Sequence, residues 1–306
     1  MNVDETGATA SGAGSATPDG AWQAAVGLWR GRTGEPGAVL LDGFHAIKHA
    51  VRFGARIPVA VTADRTAVLA LAAELAPDVV PSLADLLTEV PAAVLRELVP
   101  RAHPTGVAAL ADRPDRQAAL KTLRRAPRTA PVVVLDNPRN LGNAGAVIRL
   151  AAGFGATGVV TTGTLDPWHP TVVRGGAGLH FATCVEQLAV DELPPGPVYA
   201  LDPEGADIRG LTLPDEALLA FGSERHGISD ALRDRADALV SLPMRPQVSS
   251  YNLATSVGMA LFHWSSGTAA GIETATGIET ATGIETGAGT ATATGTGSGA
   301  GGRSGR

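Results

Sequence analysis

Cysteine, lysine and long apolar runs are scarce in this chain of 306 residues, and each scarcity excludes a class of protein. The single cysteine, Cys184, excludes a disulfide framework and a metal cluster held by thiolates. No run of 18 apolar residues is present, and the N-terminus lacks the basic start and apolar core of a signal peptide. The sequence therefore predicts a cytoplasmic protein without a membrane segment.

Positive charge is scarce as well. The two ends carry −3 and −1 of the formal charge of −6, so residues 21–266 carry −2. A nearly neutral body excludes nucleic-acid binding through overall positive charge, so any RNA contact depends on local patches. Only Lys48 and Lys121 are lysines among the 24 basic residues. Arginine makes forked contacts with phosphate, although a GC-rich genome explains the same bias.

The two ends also differ from the middle in composition. Residues 1–20 are mostly Gly, Ala, Ser and Thr, while residues 267–306 repeat G-I-E-T-A-T and continue in small residues. Neither end offers apolar surface for a core, so we predict that both are disordered. Between them we expect a first domain at residues 21–115, a linker with a short helix at 116–129 and a second domain at 130–266.

Short apolar runs recur through the second domain, at residues 132–135, 159–162, 198–201, 218–221 and 239–242. Strands that are apolar on both faces are typical of a parallel sheet covered by helices. The spacers predict crossover helices at residues 144–152, 229–236 and 254–264. The first domain mixes predicted strands at residues 38–41 and 58–62 with helices at 44–53, 67–75 and 92–99. In parallel sheets, ligands collect beyond the carboxyl ends of the strands.

Three loops at those ends carry polar residues. The first, D-N-P-R-N-L-G-N-A-G at residues 136–145, leads into a helix that carries Arg149. A strand, a Gly/Asn turn and a helix N-terminus form a natural site for an anion or polar ligand. No Gly-Lys-Ser/Thr follows, which argues against a P-loop. A plain turn with an asparagine cap and a solvated Arg149 is about equally favoured.

The other two loops follow later strands. G-S-E-R-H-G at residues 222–227 places Glu224 near the same edge, although a glutamate that caps the helix near Ser229 is the alternative. L-P-M-R-P-Q-V-S-S-Y-N at residues 242–252 places Ser250 and Asn252 before the last long helix. For Ser250 taken alone, plain N-capping is the better interpretation.

Two further patterns predict no ligand. Residues 153–158 match G-x-G-x-x-G, but they follow a helix and precede a strand, which is the reverse of the dinucleotide order and predicts a helix C-cap. His45 and His49 are four apart on a predicted helix, as metal ligands could be. Without H-E-x-x-H or a third ligand, we expect solvated or RNA-facing histidines and no metal.

In this order and spacing, the three loops resemble the motifs of the SpoU/TrmH branch of the SPOUT methyltransferases. The matching segments are N-L-G-N-A-G-A-V-I-R at residues 140–149, F-G-S-E-R-H-G-I-S at 221–229 and L-P-M-R-P-Q-V-S-S-Y-N-L-A at 242–254. L-L-D-G-F-H-A-I-K at residues 40–48 resembles, less specifically, an L30e-type substrate-binding domain. The resemblance implies an α/β fold in which a C-terminal trefoil-knot domain follows a small L30e-like α/β domain.

The resemblance also implies a function. It implies an RNA 2′-O-ribose methyltransferase that uses S-adenosylmethionine and forms a homodimer with the active site near its interface. Ribosomal RNA is favoured over tRNA because the N-terminal domain resembles those of ribosomal RNA enzymes. By position, Gly222, Leu242 and Tyr251 would bind the cofactor. The positions that the resemblance associates with catalysis are Arg149, Glu224, Ser250, Asn252 and Asn143.

Three alternatives stay open: a tRNA 2′-O-methyltransferase, a base methyltransferase from another SPOUT branch, and a non-catalytic RNA-binding relative. The complete polar set argues against the last of these, and failure to bind S-adenosylmethionine would favour it. The chain departs from the family at Tyr251, where leucine is usual, and at Gly176, where serine is common. Neither position belongs to the expected catalytic set.

Overall fold

The computed structural model describes residues 18–99, 101 and 103–267. Most of the two ends predicted to be disordered lies outside the described residues. Their inner boundaries were wrong by a few residues, because helix α1 (Pro18–Arg32) begins inside the first end and the last helix includes Gly267.

A mixed sheet of four strands forms the N-terminal part, in the order β1-β4-β2-β3. Strand β4 is antiparallel to β1 and to β2, and β2 is parallel to β3. The strands are β1 (Ala38–Asp42), β2 (Val59–Thr62), β3 (Leu87–Glu89) and β4 (Val107–Asp112). The helices after α1 are α2 (Phe44–Arg52), α3 (Arg65–Leu75), α4 (Val80–Leu86) and α5 (Ala92–Leu98). The pattern predicted β1, β2, α2, α3 and α5, and missed the rest.

A six-stranded sheet forms the C-terminal part, in the order β10-β8-β9-β5-β6-β7, with every pair parallel. This confirms the predicted parallel α/β fold. Its strands are β5 (Val132–Leu135), β6 (Gly158–Thr161), β7 (Cys184–Gln187), β8 (Val198–Asp207), β9 (Leu218–Phe221) and β10 (Ala238–Ser241). The helices are α6 (Arg116–Leu123), α7 (Leu141–Gly153), α8 (Pro170–Gly175), α9 (Asp230–Arg235) and α10 (Leu253–Gly267). The Gly-rich segment after α7 ends that helix, as predicted.

Both faces of the second sheet are buried, which explains its wholly apolar strands. In β5, Val133 and Leu135 join the core cluster on one face, while Val132 and Val134 join the cluster on the other. This alternation follows from the two-residue period of a strand. The first of these clusters continues into the N-terminal part through Leu41 and other buried side chains, so one core joins the two sheets.

Polar contacts also join the two parts. The carboxylate of Asp42, at the end of β1, pairs with the guanidinium of Arg174 on α8, and the Asp42 side chain is almost fully buried. His49 of α2 donates from Nδ1 to the carbonyl of Ala177 at 2.8 Å. His49 is therefore half-buried and engaged with the second part of the chain, in contrast to the solvated or RNA-facing side chain that its spacing predicted.

The segment between the two sheets contains helix α6, the short helix expected in the linker. Its C-terminal end is anchored by Arg128, which is 5% exposed. The guanidinium of Arg128 donates to the carbonyls of Pro195, at 2.7 Å, and Glu216. The predicted linker thus packs against the second sheet. Of the helices described, none has the length and apolar character needed to cross a membrane.

Candidate functional site

The three loops singled out in the sequence leave the second sheet at the same edge. The chain leaves β5 at Asp136, β9 at Gly222 and β10 at Leu242. Strands β5 and β9 are neighbours, with Leu135 opposite Phe221, and only β8 separates β9 from β10. Because all of these strands are parallel, the loops converge where ligands bind in open α/β sheets.

The side-chain amide of Asn143 connects the three loops. Its Nδ2 donates to Oε1 of Glu224 at 2.9 Å, and its Oδ1 accepts from Nδ2 of Asn252 at 3.1 Å. An amide can donate and accept at once, whereas a carboxylate at this position could not donate to Glu224. Asn143 is therefore brought together with two other residues of the predicted catalytic set, Glu224 and Asn252, which lie 81 and 109 positions further along the chain.

Glu224 is held in its ionised form. Burial by itself would raise the pKa of Glu224, but the hydrogen bond from Asn143 and those from nearby backbone N–H groups outweigh it, so the pKa is lowered from the ordinary value of 4.5. The backbone donors belong to Glu224 itself, Arg139 and Asn140. A carboxylate that stays charged can accept hydrogen bonds from a hydroxyl or pair with a cation.

A cleft of about 500 Å³ opens beside this bridge. Its lining includes the three predicted cofactor-binding residues, Gly222, Leu242 and Tyr251, together with Glu224, Ser250 and Asn252. The hydroxyl of Tyr251 donates to the carbonyl of Pro243 at 2.9 Å, which ties this side chain to its own loop. A cleft with backbone groups and a few polar side chains in its wall fits a small polar ligand.

Gly222 is required by the close approach of two backbone segments at the cleft. A Cβ atom at this position would overlap the backbone of Gly227 and Ile228. Ser223 and Gly227 exchange two backbone hydrogen bonds of 2.9 and 3.0 Å, which close the loop at its base. The absence of a side chain lets the Gly222 backbone pack this closely against the other side of the hairpin, in the wall of the cleft.

Arg149 lies apart from the other predicted catalytic residues. It stands on α7 six residues after Asn143, which places it about 9 Å further along the helix axis and about 120° around it. Its side chain is exposed and does not line the cleft. It forms no hydrogen bond or ion pair with any residue that the structure describes. We expected Arg149 to lie beside the loops at this edge of the sheet, but within a single chain it does not line the cleft.

For each loop, the alternative was that its polar residue only caps a helix, and this alternative holds for Asn140 but not for Glu224 or Ser250. Asn140 does cap α7, since its side chain accepts from the backbone N–H of Asn143 at 3.0 Å. Ser229, and not Glu224, caps α9. At the start of α10 it is Asn252, and not Ser250, that accepts from the backbone N–H of Ala254, at 2.9 Å. Ser250 therefore lines the cleft without the capping role favoured for it.

The lining also includes Asp202 and Pro203, which lie outside the three loops singled out in the sequence. Asp202 pairs with Arg233 of α9 and accepts from the backbone N–H of Glu204 at 2.9 Å. It directly follows the apolar run at residues 198–201, so the rule that ligands collect after such runs could have found it. Within the described residues, no group of three or more His, Cys, Asp or Glu side chains could hold a metal ion.

The second part of the chain matches a family model. Residues 130–262 match the model described as the SpoU rRNA Methylase family. A 23S rRNA (adenosine(1067)-2′-O)-methyltransferase from Streptomyces azureus is 33% identical over 150 residues. That alignment covers 44% of this chain and 54% of the relative, so the chain spans about half of the relative's length.

Solved structures resemble a larger share of the chain. An RNA 2′-O ribose methyltransferase has a TM-score of 0.59 at 26% identity, over 79% of this chain and 93% of that one. An rRNA methyltransferase from Sinorhizobium meliloti with bound AdoMet has a TM-score of 0.62 at 23% identity, over 79% and 92% of the two chains. The second likeness concerns the fold alone.

The Asn143 bridge makes a prediction about the ionisation of Glu224. Asn143→Ala should raise the pKa of Glu224, because a donor to the carboxylate is lost while its burial remains. Asn252→Ala should shift it much less, because Asn252 donates to Asn143 and not to Glu224. NMR titration of the side-chain carboxyl carbons measures both values.

The sign of the pH effect follows from the lowered pKa. Because the folded pKa lies below the unfolded value, the carboxylate stabilises the fold above the unfolded pKa of about 4.3, and this contribution is lost as the pH falls through the folded pKa. An unchanged Glu224 titration in Asn143→Ala would contradict the bridge.

Proposed function

Residues 130–262 belong to the SpoU rRNA Methylase family, and from this premise we propose that the chain is an S-adenosylmethionine-dependent methyltransferase of RNA ribose 2′-hydroxyls. One observation carries the proposal. The loops that contain the three resembling motifs meet in one cleft, joined through the amide of Asn143. The relative and one solved structure that are named as 2′-O-methyltransferases support the same reaction.

The cleft has the properties that S-adenosylmethionine needs. Gly222, Leu242 and Tyr251 line the cleft, and we propose that their backbone groups hold the cofactor. When bound, the cofactor would supply a methyl group carried by a sulfonium sulfur, and this sulfur leaves readily as a neutral thioether when the methyl group is transferred. The protein's tasks are then to align the ribose 2′-hydroxyl and to help remove its proton.

The polar residues divide these tasks. Arg149 stays protonated at neutral pH, so it is suited to hold a phosphate or to stabilise the developing alkoxide, and not to act as the base. Ser250 and Asn252 line the cleft and can position the ribose or Arg149. Glu224, ionised and oriented by Asn143, can accept a hydrogen bond from one of these groups.

We further propose a homodimer in which Arg149 enters the cleft of the other copy. Within one chain, Arg149 is exposed, does not line the cleft and stands on a different face of α7 from Asn143. Large apolar side chains are exposed around the third loop and on α10: Val248 is 43%, Tyr251 38% and Phe262 64% exposed. A second copy packed on this surface would cover these side chains and supply the missing arginine.

The N-terminal sheet is proposed to be an RNA-binding domain at residues 21–115. Lys48 and the exposed His45 lie on α2, close enough to Arg149 that its positive charge affects both. Burial first, then the charges of Lys48, His103 and Arg149, lower the pKa of His45. The pKa of Lys48 is lowered mainly by burial, then by Arg52 and Arg149. Such a positive surface suits the phosphates of RNA.

Ribosomal RNA is the proposed substrate, and the reaction is proposed to take place in the cytoplasm. The S. azureus relative is named for 23S rRNA, which favours ribosomal RNA over tRNA. The trefoil knot and the L30e likeness implied by the family resemblance remain part of the proposal. A transfer assay distinguishes the alternatives: a tRNA enzyme would label tRNA, a base methyltransferase would give a nucleoside methylated on its base, and a non-catalytic relative would transfer no methyl group.

Arg149→Ala should lower kcat for methyl transfer by about 100-fold or more, because an alkoxide or phosphate loses its cation. Cofactor affinity should change little, since the groups proposed to hold the cofactor are the backbones of Gly222, Leu242 and Tyr251. Calorimetry with S-adenosylmethionine and a labelled-methyl transfer assay measure the two effects. Loss of cofactor binding would show instead that Arg149 supports the pocket.

Mixing two inactive variants tests the shared site. Gly222→Val should distort the wall of the cleft, because a Cβ atom there overlaps the backbone of Gly227 and Ile228, and Arg149→Ala removes the arginine. If Arg149 acts in the other copy, a mixed dimer contains one intact site, so co-refolded variants should regain part of the wild-type activity. If each site lies within one chain, both chains of the mixed dimer stay inactive, and this outcome would contradict the shared site.

Lys48 and Lys121 allow a test of RNA binding in which one lysine serves as the control for the other. Lys48→Ala should weaken RNA binding and reduce the slope of log K against log salt by about 1, as expected for one lost phosphate contact. Substitution of the exposed Lys121 on α6, Lys121→Ala, should change neither quantity. Filter binding over a range of salt concentrations measures both. Equal effects at the two positions would argue against a defined RNA surface on α2.

A further inference from the structure

The loop that carries Glu224 is attached at both ends to one residue outside it, Asp136. Where the loop begins, the backbone N–H of Asp136 donates to the carbonyl of Phe221 at 2.8 Å. Where it ends, Oδ2 of Asp136 accepts from the backbone N–H of Ser229 at 2.7 Å. Because β5 lies beside β9, a single residue at the end of β5 reaches both positions.

The loop between these attachments is itself closed. The two hydrogen bonds between Ser223 and Gly227 make it a narrow hairpin, and Ser223 is 7% exposed. A hairpin closed in this way moves as one piece, so its placement depends on what holds its two ends. Five of its residues line the cleft: Gly222, Ser223, Glu224, Arg225 and Gly227.

The carboxylate of Asp136 has a second fixed partner. Its Oδ1 accepts from the hydroxyl of Thr162 at 2.6 Å, and this hydroxyl accepts in turn from the backbone N–H of Asn137 at 3.0 Å. Asp136 is 3% exposed, and no basic side chain of the described residues forms an ion pair with it. A buried carboxylate stabilised only by hydrogen bonds is sensitive to the loss of either donor.

We propose that Asp136, oriented by Thr162, is a positioning residue for the proposed reaction: it fixes the hairpin at residues 222–228 and thereby the place of Glu224 and the wall of the cofactor cleft. The functional part of this inference rests on the proposed function, whereas the attachment of the hairpin does not. Asp136 contacts no reacting group and acts through the hairpin.

Two neighbouring threonines allow a matched test. Thr162→Val removes the donor to Asp136. Thr161→Val removes a hydroxyl that is equally buried but donates to the carbonyl of Leu165 at 3.3 Å, away from the hairpin. Thr162→Val loses the hydrogen bonds to Asp136 and from Asn137, and Thr161→Val loses the one to Leu165, so both should lose some thermal stability. Only Thr162→Val should loosen the hairpin. Asp136→Ala should loosen it more, and Asp136→Asn should restore it in part because one oxygen remains for Ser229.

Trypsin reports the hairpin directly, because the exposed Arg225 lies within it. The rate of cleavage after Arg225 is compared with that after the exposed Arg209, which lies in a different segment. We expect Thr162→Val and Asp136→Ala to raise this ratio, and Thr161→Val to leave it at the wild-type value. A ratio that is unchanged, or that rises equally in Thr161→Val, would overturn the proposal.

Calorimetry with S-adenosylmethionine separates this inference from the proposed function. The expected loss of affinity is about tenfold in Thr162→Val and less than twofold in Thr161→Val. Equal affinity in both variants would overturn the functional role of the attachment. If the wild-type protein bound no S-adenosylmethionine, the proposed function would fail, and the proteolysis ratio would still decide whether Asp136 holds the hairpin.

Discussion

The hydrogen bonds of one amide, that of Asn143, determine whether this chain has a site at all. The amide accepts from Asn252 and donates to Glu224, and each of these residues belongs to a different loop. Without this bridge, the edge of the sheet would present three separate polar loops. The parallel order of the strands makes the bridge possible, because it brings the ends of β5, β9 and β10 to one side. The hydrogen bonds of Asp136 then hold the two ends of the loop that carries Glu224.

The second constraint is the firm joint between the two sheets. The ion pair between the buried Asp42 and the exposed Arg174, the hydrogen bond from His49 to Ala177 and a shared apolar core join the first sheet and α2 to α8 and the segment that follows it. The basic residues of α2 therefore have a fixed place beside Arg149. If the first sheet binds RNA, this joint sets the distance from the bound phosphates to the site of methyl transfer.

Much of the second sheet could be predicted from the sequence, because strands buried on both faces are short apolar runs with recognisable ends. Strand β7 was missed because it includes Glu186, a buried charge that breaks the apolar run. In the first sheet, β4 was missed although five of its six residues are buried, since its hydrophobic run is hidden among other alanine-rich segments.

The site was predicted to a similar degree. The resemblance of the three loops to the SpoU/TrmH motifs implied Asn143, Glu224 and Asn252 as a group, but no pattern could show that one amide joins them. Periodicity also places residues only within one chain. Six positions along α7 turn Arg149 away from Asn143, and the helix repeat could have revealed this, whereas the proposed second copy leaves no signal in the spacing of one chain. No sequence pattern singled out Asp136, because its role depends on three hydrogen bonds to distant segments.

The most direct test of the central claim is the chemical identity of the product. Purified protein is incubated with labelled S-adenosylmethionine and unmodified ribosomal RNA and tRNA, and the digested RNA is analysed by mass spectrometry. Our account predicts a single 2′-O-methylated nucleoside from ribosomal RNA, absent with Arg149→Ala. A nucleoside methylated on its base, or no methyl transfer to either RNA from a protein that also fails to bind S-adenosylmethionine, would contradict it.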